Sequence, residues 1–429
     1  MRWLAVGGSL AITLLMLFPG TLLPYSALVS LYFVLAALLL GSRCFLLTPV
    51  FMFSPLQDLS KVGLFGVLCV LACGFSLLNY RKLRLRTEDF WLLALIFLLM
   101  SSFIATSSYP EAQNRFVTVL EAMIVWGALL IYRSSTQMRE ALLWSFFLSG
   151  AFCLVFKVIY VVDPAPFDKI IFIQTNDVFE GKTTRYFEGN FVPRLIYGGQ
   201  EPNYESLRLI VSMIVGGFLI RSKTKLEGFS SGAVAVLSTV CMLLIYIQVV
   251  GSYSRAGFVA GSLVLLGTYA KSTRTLLFVV PIFTFATSYV IISIDSLYYR
   301  LSTILNSDGA GRFDLWADSL SYFAESPLWG AGFFSFPLKH GDVAHNQFLT
   351  LLAENGVIGL IVFLGMIYSF LFSRHRLKMQ TMLITSGFFV MLSTLTVTDY
   401  KNFILYLMVV GFGSALKPAD QPISVIRAG

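Results

Sequence analysis

Apolar runs separated by short polar breaks occupy most of this chain. They lie near 3–18, 26–41, 44–57 and 62–79, then at 90–106, 116–132, 141–162, 206–220, 232–250, 257–270, 275–294, 346–372, 379–397 and 403–416. A helix needs about 20 mostly apolar residues to cross a bilayer. Helices and closed barrels alone satisfy their own backbone groups in lipid. The pattern therefore predicts an all-α polytopic membrane protein with about 12–14 transmembrane helices. The run at 44–57 is short and contains Pro49 and Pro55, so it crosses, re-enters or lies in the interface. The run at 3–18 reads as an uncleaved first helix, because no small-residue cleavage site follows it.

Sidedness follows from the basic residues. They collect at Arg81–Arg86, Arg133–Arg139, Arg221–Lys225, Lys271–Arg274 and Arg374–Lys378, which marks these loops as cytoplasmic along with both termini. Two long loops then face outward, at 163–205 and 295–345, with a very short third at 251–257. In a bacterial inner membrane that face is periplasmic. The expected organisation is N-terminal helices over 1–162, a first periplasmic loop over 163–205 and central helices over 206–294. A second periplasmic loop over 295–345 and C-terminal helices with a short tail over 346–429 complete it.

Composition narrows the function. Hydrophobic residues make up 57% of the 429 and charged residues 13%, which leaves no room for a large soluble domain. The net charge of +8 is the excess expected of cytoplasmic loops and does not imply nucleic acid. All five cysteines (Cys44, Cys69, Cys73, Cys153 and Cys241) sit in apolar runs, as packing residues do. There is no phosphate-binding loop for ATP and no paired His or Cys metal spacing. No cofactor is expected.

Polar chemistry concentrates in 311–356, GRFDLWADSLSYFAESPLWGAGFFSFPLKHGDVAHNQFLTLLAENG, which holds two of the three histidines. Arg312 opens a stretch in which Phe313, Trp316, Leu320 and Phe323 fall near one stripe of an amphipathic helix suited to a membrane surface. Arg312 either faces an anionic ligand or pairs with Asp314 or Asp318. His345 stands where the polar loop meets the next apolar run, as a proton acceptor, a donor to a charged leaving group, or a structural residue. Asn346 beside it suits a helix cap. Glu354 is an acid inside an apolar run and needs a partner there. Arg255, in SYSRAG, either holds an anion bidentately or snorkels to headgroups. Arg194, Asn203, Glu205 and Arg208 close the first long loop, where Glu205 and Arg208 also fit a simple pair one turn apart. Glu121 and Lys157 are further charges within apolar runs. Trp316, Trp329, Phe333 and Phe334 line a lipid entrance, stack on sugars or form an interfacial belt.

In order, SRAG at 254–257, GRFDLW at 311–316, ESPLWGAGFFSF at 325–336 and HNQFLTLLAENGVIGL at 345–360 resemble the O-antigen ligase and polymerase superfamily. EPN at 201–203 is similar to that family's first periplasmic loop. The resemblance covers about 190–360; upstream only hydropathy matches. It implies a membrane glycosyltransferase of the C-type class that takes a glycan from undecaprenyl diphosphate, without metal and with inversion. It implies a catalytic role for His345, Arg312 and Arg255, and donor diphosphate binding by Arg255, Arg312 and Arg194, with Arg185 and Arg208 competing for the last place. Asn203, Tyr253, Asn346 and Glu354 are candidates for support. The implied acceptor is lipid A–core for a ligase or a second lipid-linked glycan for a polymerase. A lipid-linked oligosaccharide flippase is the expectation from another class, though it predicts charges along a midplane path rather than at one face.

Overall fold

A computed structural model of the chain describes residues 85–162, 184–187, 190–193, 202–223, 229–252, 254–270, 312–372, 379–397 and 400–416, with isolated positions at 46, 49, 52, 53 and 74. The expected crossings at 3–18, 26–41 and 275–294 lie outside these residues, and those at 44–57 and 62–79 are described only at isolated positions. The helices are α1 (Thr87–Phe103), α2 (Pro110–Ser134), α3 (Thr136–Val162), α4 (Pro202–Ser222), α5 (Ser231–Gly251) and α6 (Arg255–Tyr269). They continue as α7 (Arg312–Glu325), α8 (Ser335–His340), α9 (Gln347–Phe372), α10 (Met379–Leu392) and α11 (Tyr400–Ser414). Five spans among the described residues are long and apolar enough to cross a membrane: Thr87–Thr106, Thr136–Val158, Pro202–Ser222, Ser231–Gly251 and Gln347–Phe372. The protein is an all-α polytopic membrane protein, with one small departure. An antiparallel hairpin, β1 (Thr184–Phe187) with β2 (Asn190–Pro193), pairs Thr184 with Pro193 inside the first long loop.

At the centre stands α4, buried on every side from Glu205 to Leu219. A helix apolar all round belongs in a bundle core. It packs against α3, α5, α6, α10 and α11. Lipid gives helices no hydrophobic reason to associate, so close approach through small residues matters. A Cβ on Gly267 of α6 would lie 2.8 Å from the Ile384 nitrogen of α10, and one on Gly387 would lie 3.0 Å from the Ala260 oxygen.

Several boundaries differ from the sequence expectation. α2 and α3 are separated by Ser135 alone, and Arg133, expected in a basic loop, is buried against Asp89 at the start of α1. Asp89 also accepts from the Trp126 indole at 2.9 Å and the Arg86 backbone at 2.7 Å. The acid draws the arginine inward, where charge pairing outweighs exposure. α10 ends at Leu392, and 395–397 run on as buried non-helical chain.

The largest difference lies in α9. The run 346–372 reads as one crossing, but Gly356 (φ 64, ψ −166) breaks the helix. The freed groups are taken by the loop after α7. Ala331 N donates to Ala353 O at 3.0 Å and Gly332 N to Glu354 O at 2.9 Å. In return Val357 N donates to Pro327 O at 2.9 Å and Ile358 N to Leu328 O at 3.4 Å. Irregular backbone survives inside a membrane protein only where protein groups satisfy it, and this exchange supplies them. On the far side, Phe333 N donates to Ser102 O at 3.2 Å and Thr106 Oγ1 to Phe333 O at 2.6 Å. The Asn355 amide donates to Ser102 Oγ at 2.8 Å. The loop is thus clamped between α1 and the break.

Gly330 and Gly341 separate the two demands of this region. A Cβ at Gly330 (φ +72) would sit 2.2 Å from the Glu354 carbonyl carbon and 2.3 Å from the Asn355 nitrogen. Gly341 (φ +75) has nothing within 4 Å. Gly341→Ala should cost about 1 kcal/mol of backbone strain, whereas Gly330→Ala should cost well beyond about 3 kcal/mol because no side chain can yield. Thermal unfolding in detergent measures both, and equal effects would count against the interlock.

Candidate functional site

The candidate residues sit at the beginnings of helices. Asn203 is the second residue of α4, Arg255 the first of α6, Arg312 the first of α7, and His345 precedes α9 by two positions. Each start carries unsatisfied N–H groups and a positive partial charge. Such ends favour anions, the more so beside arginine.

Hydrogen bonds connect these starts. Ser254 caps α6, its Oγ accepting from Gly257 N at 3.1 Å and donating to Asn203 Oδ1 at 2.7 Å. Next to Asn203, the Tyr204 hydroxyl donates to Thr396 O. Val397 N donates to Gln347 Oε1 at 2.6 Å, and Thr350 shares a hydroxyl bond with Thr396 at 3.0 Å. The buried 395–397 segment thus bridges α4 to α9. The Trp316 indole of α7 donates to Ala344 O at 3.0 Å, just before His345. Four helix starts are held in one hydrogen-bonded set at one end of the bundle.

His345 is half-buried, with backbone φ +49, and its Nε2 lies 3.7 Å from Asp342 Oδ1. A non-glycine residue in the left-handed region carries strain of about 1–3 kcal/mol, of the kind that collects at functional sites. Phe334 (φ 61) is another such residue in this stretch. Asn346 is a cap as its type suggested, its Oδ1 accepting from Phe348 N at 3.0 Å and Leu349 N at 3.2 Å. Glu354, 3% exposed, meets no cation among the described ion pairs; its Oε2 accepts from Phe334 N at 3.0 Å and so caps α8. The partner the sequence demanded is backbone. Arg312 is half-buried, and no described ion pair joins it to Asp314 or Asp318. Asp318 faces His340 Nδ1 at 3.4 Å instead. Arg255 is half-buried. Arg194 and Tyr253 lie outside the described residues.

Arg208 has a different setting from the other arginines. It is 2% exposed, inside the bundle, and its guanidinium meets Glu205, the Met52 carbonyl and the Phe53 ring at 5.2 Å. Lys157, fully buried, meets the other oxygen of Glu205. The i,i+3 pairing left open by the sequence is the arrangement present, and it places Arg208 within the core rather than at the helix starts. Phe333 likewise belongs to the core, 2% exposed against Phe103 and Phe116 with ring centroids 6.3 and 6.0 Å away, not to a lipid entrance. Of the expected stripe on α7, Phe313 and Leu320 stay exposed, while Leu315 and Tyr322 pack inward on Phe336 and Ala344. The sequence reading missed Arg115. It lies exposed in the first turns of α2, one residue outside the apolar run, with its guanidinium 5.8 Å from the Phe334 ring. A cation bordering a predicted crossing was the available signal.

Polar and cationic helix starts gather at one end of a polytopic membrane bundle. Residues 237–364 match the family model described as O-antigen ligase, which supports the O-antigen ligase and polymerase superfamily. The matched segment contains Arg255, Arg312, His345 and Glu354, and excludes Asn203 and Arg208. Comparison with curated proteins gave no match. Comparison with solved structures gave none either. The match supports function of the O-antigen ligase and polymerase type in general, and that family implies lipid-linked glycan substrates in a membrane.

The buried cluster yields a test of Arg208. Removing one member of a buried charged set leaves an uncompensated charge and costs about 3–5 kcal/mol. Arg208→Met and Glu205→Gln should each lower the unfolding midpoint strongly in detergent. Wild-type stability with lost transfer in Arg208→Met would return Arg208 to ligand binding.

Proposed function

We propose that this protein is a glycosyltransferase of the bacterial inner membrane that transfers a glycan from undecaprenyl diphosphate at the periplasmic face, with lipid A–core as acceptor. One observation carries the reading. Arg255, Arg312 and His345 all fall within the family-matched segment, and the helices they begin or precede are tied together at one end of the bundle.

The chemistry asks for this kind of end. An acceptor hydroxyl attacks the anomeric carbon while the bond to the diphosphate oxygen breaks, inverting the centre. Negative charge grows on that bridging oxygen. Fixed cationic donors placed where charge develops stabilise the transition state most. Arg255 and Arg312 bind the diphosphate in this scheme, with Arg194 from the first loop as a third contact. His345 takes the acceptor proton as a general base, with Asp342 to accept from the imidazolium. Asn203, Asn346 and Glu354 give support by holding helix starts and the loop, with Tyr253 as a further candidate for support. Arg255 and Arg312 stand at helix starts, and the buried cluster of Lys157, Glu205 and Arg208 is locked in ion pairs. This favours an enzyme over a flippase with a polar path.

Purified protein in nanodiscs, given undecaprenyl diphosphate-linked glycan and EDTA with and without lipid A–core, tests the proposal. Transfer to lipid A–core is the expected product. Longer lipid-linked chains without added acceptor would make the protein a polymerase, and absence of any product from folded protein would sink the enzymatic reading. Arg255→Ala, Arg312→Ala and His345→Ala should each lower transfer by roughly a hundredfold or more at normal membrane insertion. Full turnover in any of them removes that residue from the site.

A further inference from the structure

We infer that Trp316 is a positioning residue for the transfer reaction, its indole N–H fixing the backbone of His345 against the helix that begins with Arg312. The inference rests on the functional reading of those two residues given above. Trp316 follows Arg312 by four residues on α7, so both side chains project from one face of the helix. Its Nε1–H donates to the Ala344 carbonyl at 3.0 Å. That carbonyl belongs to the peptide bond joining Ala344 to His345, and Ala344 is fully buried.

His345 needs such a hold. At φ +49 it occupies a conformation that a non-glycine residue leaves unless its flanks are fixed. On one flank Asn346 caps α9. On the other flank stands the Trp316 bond. Leu315 and Tyr322 add apolar packing on Phe336 and Ala344, and the described ion pairs between α7 and the 335–345 segment lie further from His345. Asp318 faces His340 at 3.4 Å and Glu325 meets Lys339 at 3.2 Å, with both acids more than half exposed. Exposed pairs of this kind hold geometry weakly. The indole is itself half-buried and is met edge-on by the Phe313 ring at a centroid distance of 5.5 Å.

The Trp316 indole therefore supplies the directional hold between the diphosphate-binding start of α7 and the proposed base. A misplacement of about 1 Å between reacting groups can cost roughly a hundredfold in rate. Trp316 acts on the geometry of the bound complex, so its loss lowers kcat and leaves donor KM near wild type. A sugar-stacking tryptophan would give the opposite split.

The test compares Trp316→Phe with the wild type in nanodiscs, using undecaprenyl diphosphate-linked glycan and lipid A–core. Tyr368→Phe, at a 59% exposed position far along α9, is the control. We expect kcat to fall roughly ten- to a hundredfold in Trp316→Phe with KM within about twofold. We also expect faster amide hydrogen exchange in 341–346 and no change in the control. Replacement of Trp316 by 3-benzothienylalanine, which puts sulfur in place of the N–H at nearly the same shape, should reproduce the kcat loss without a folding defect. Wild-type kcat in that variant, or a raised KM with unchanged kcat, overturns the inference. Full turnover in His345→Ala overturns the functional reading instead; an inactive His345→Ala beside a fully active Trp316 variant overturns the positioning role alone.

Discussion

A helix that breaks inside an apolar bundle leaves backbone N–H and C=O groups that lipid cannot satisfy. At Gly356 these groups are handed to residues 327–332, and the loop receives its own partners in the same exchange. Most other features of this end of the molecule depend on that arrangement. It fixes where the loop leaves α7, presses Gly330 onto the backbone at Glu354 and Asn355, and sets Phe334 over the Glu354 carboxylate. From there α8 and the turn at 341–345 run to His345. A break in α9 and the placement of a histidine more than two turns before it are thus one construction.

Around this fixed loop the other helix starts are joined by polar side chains that are short or buried: Ser254, Asn203, Gln347, Thr350 and Thr396. Short side chains lose little rotamer freedom on ordering, so the connections define position at small entropic cost. Arg255 and Arg312 stand at helix starts that these neutral groups help to hold. The charges that do hold the scaffold lie deeper, where Glu205 joins Lys157 and Arg208.

Much of this was legible in the sequence. Apolar length located the helices from 87 to 414, and residue type found the Asn346 cap and the polar stretch 311–356. What could not be read has physical reasons. A glycine in an apolar run is ambiguous between close helix approach, as at Gly267, and a broken helix, as at Gly356; hydropathy is the same for both. The pairing of Arg208 with Glu205 was visible as spacing, but its burial depends on Lys157 and Phe53, far away in the chain. Trp316 fell on the apolar stripe of α7, and its hydrogen bond to Ala344 spans a loop that periodicity does not describe. The hairpin at 184–193 is too short to stand out in a chain dominated by helices.

The loop at 327–332 is read by α9 through main-chain atoms, with glycine required at 330 for contact. Its outward side chains, Leu328 and Trp329, are more than 60% exposed and take no part in the exchange. Divergence at these two positions can therefore proceed without disturbing the frame beneath. A lineage can vary the surface shown at this end of the protein while inheriting the backbone exchange beneath it unchanged.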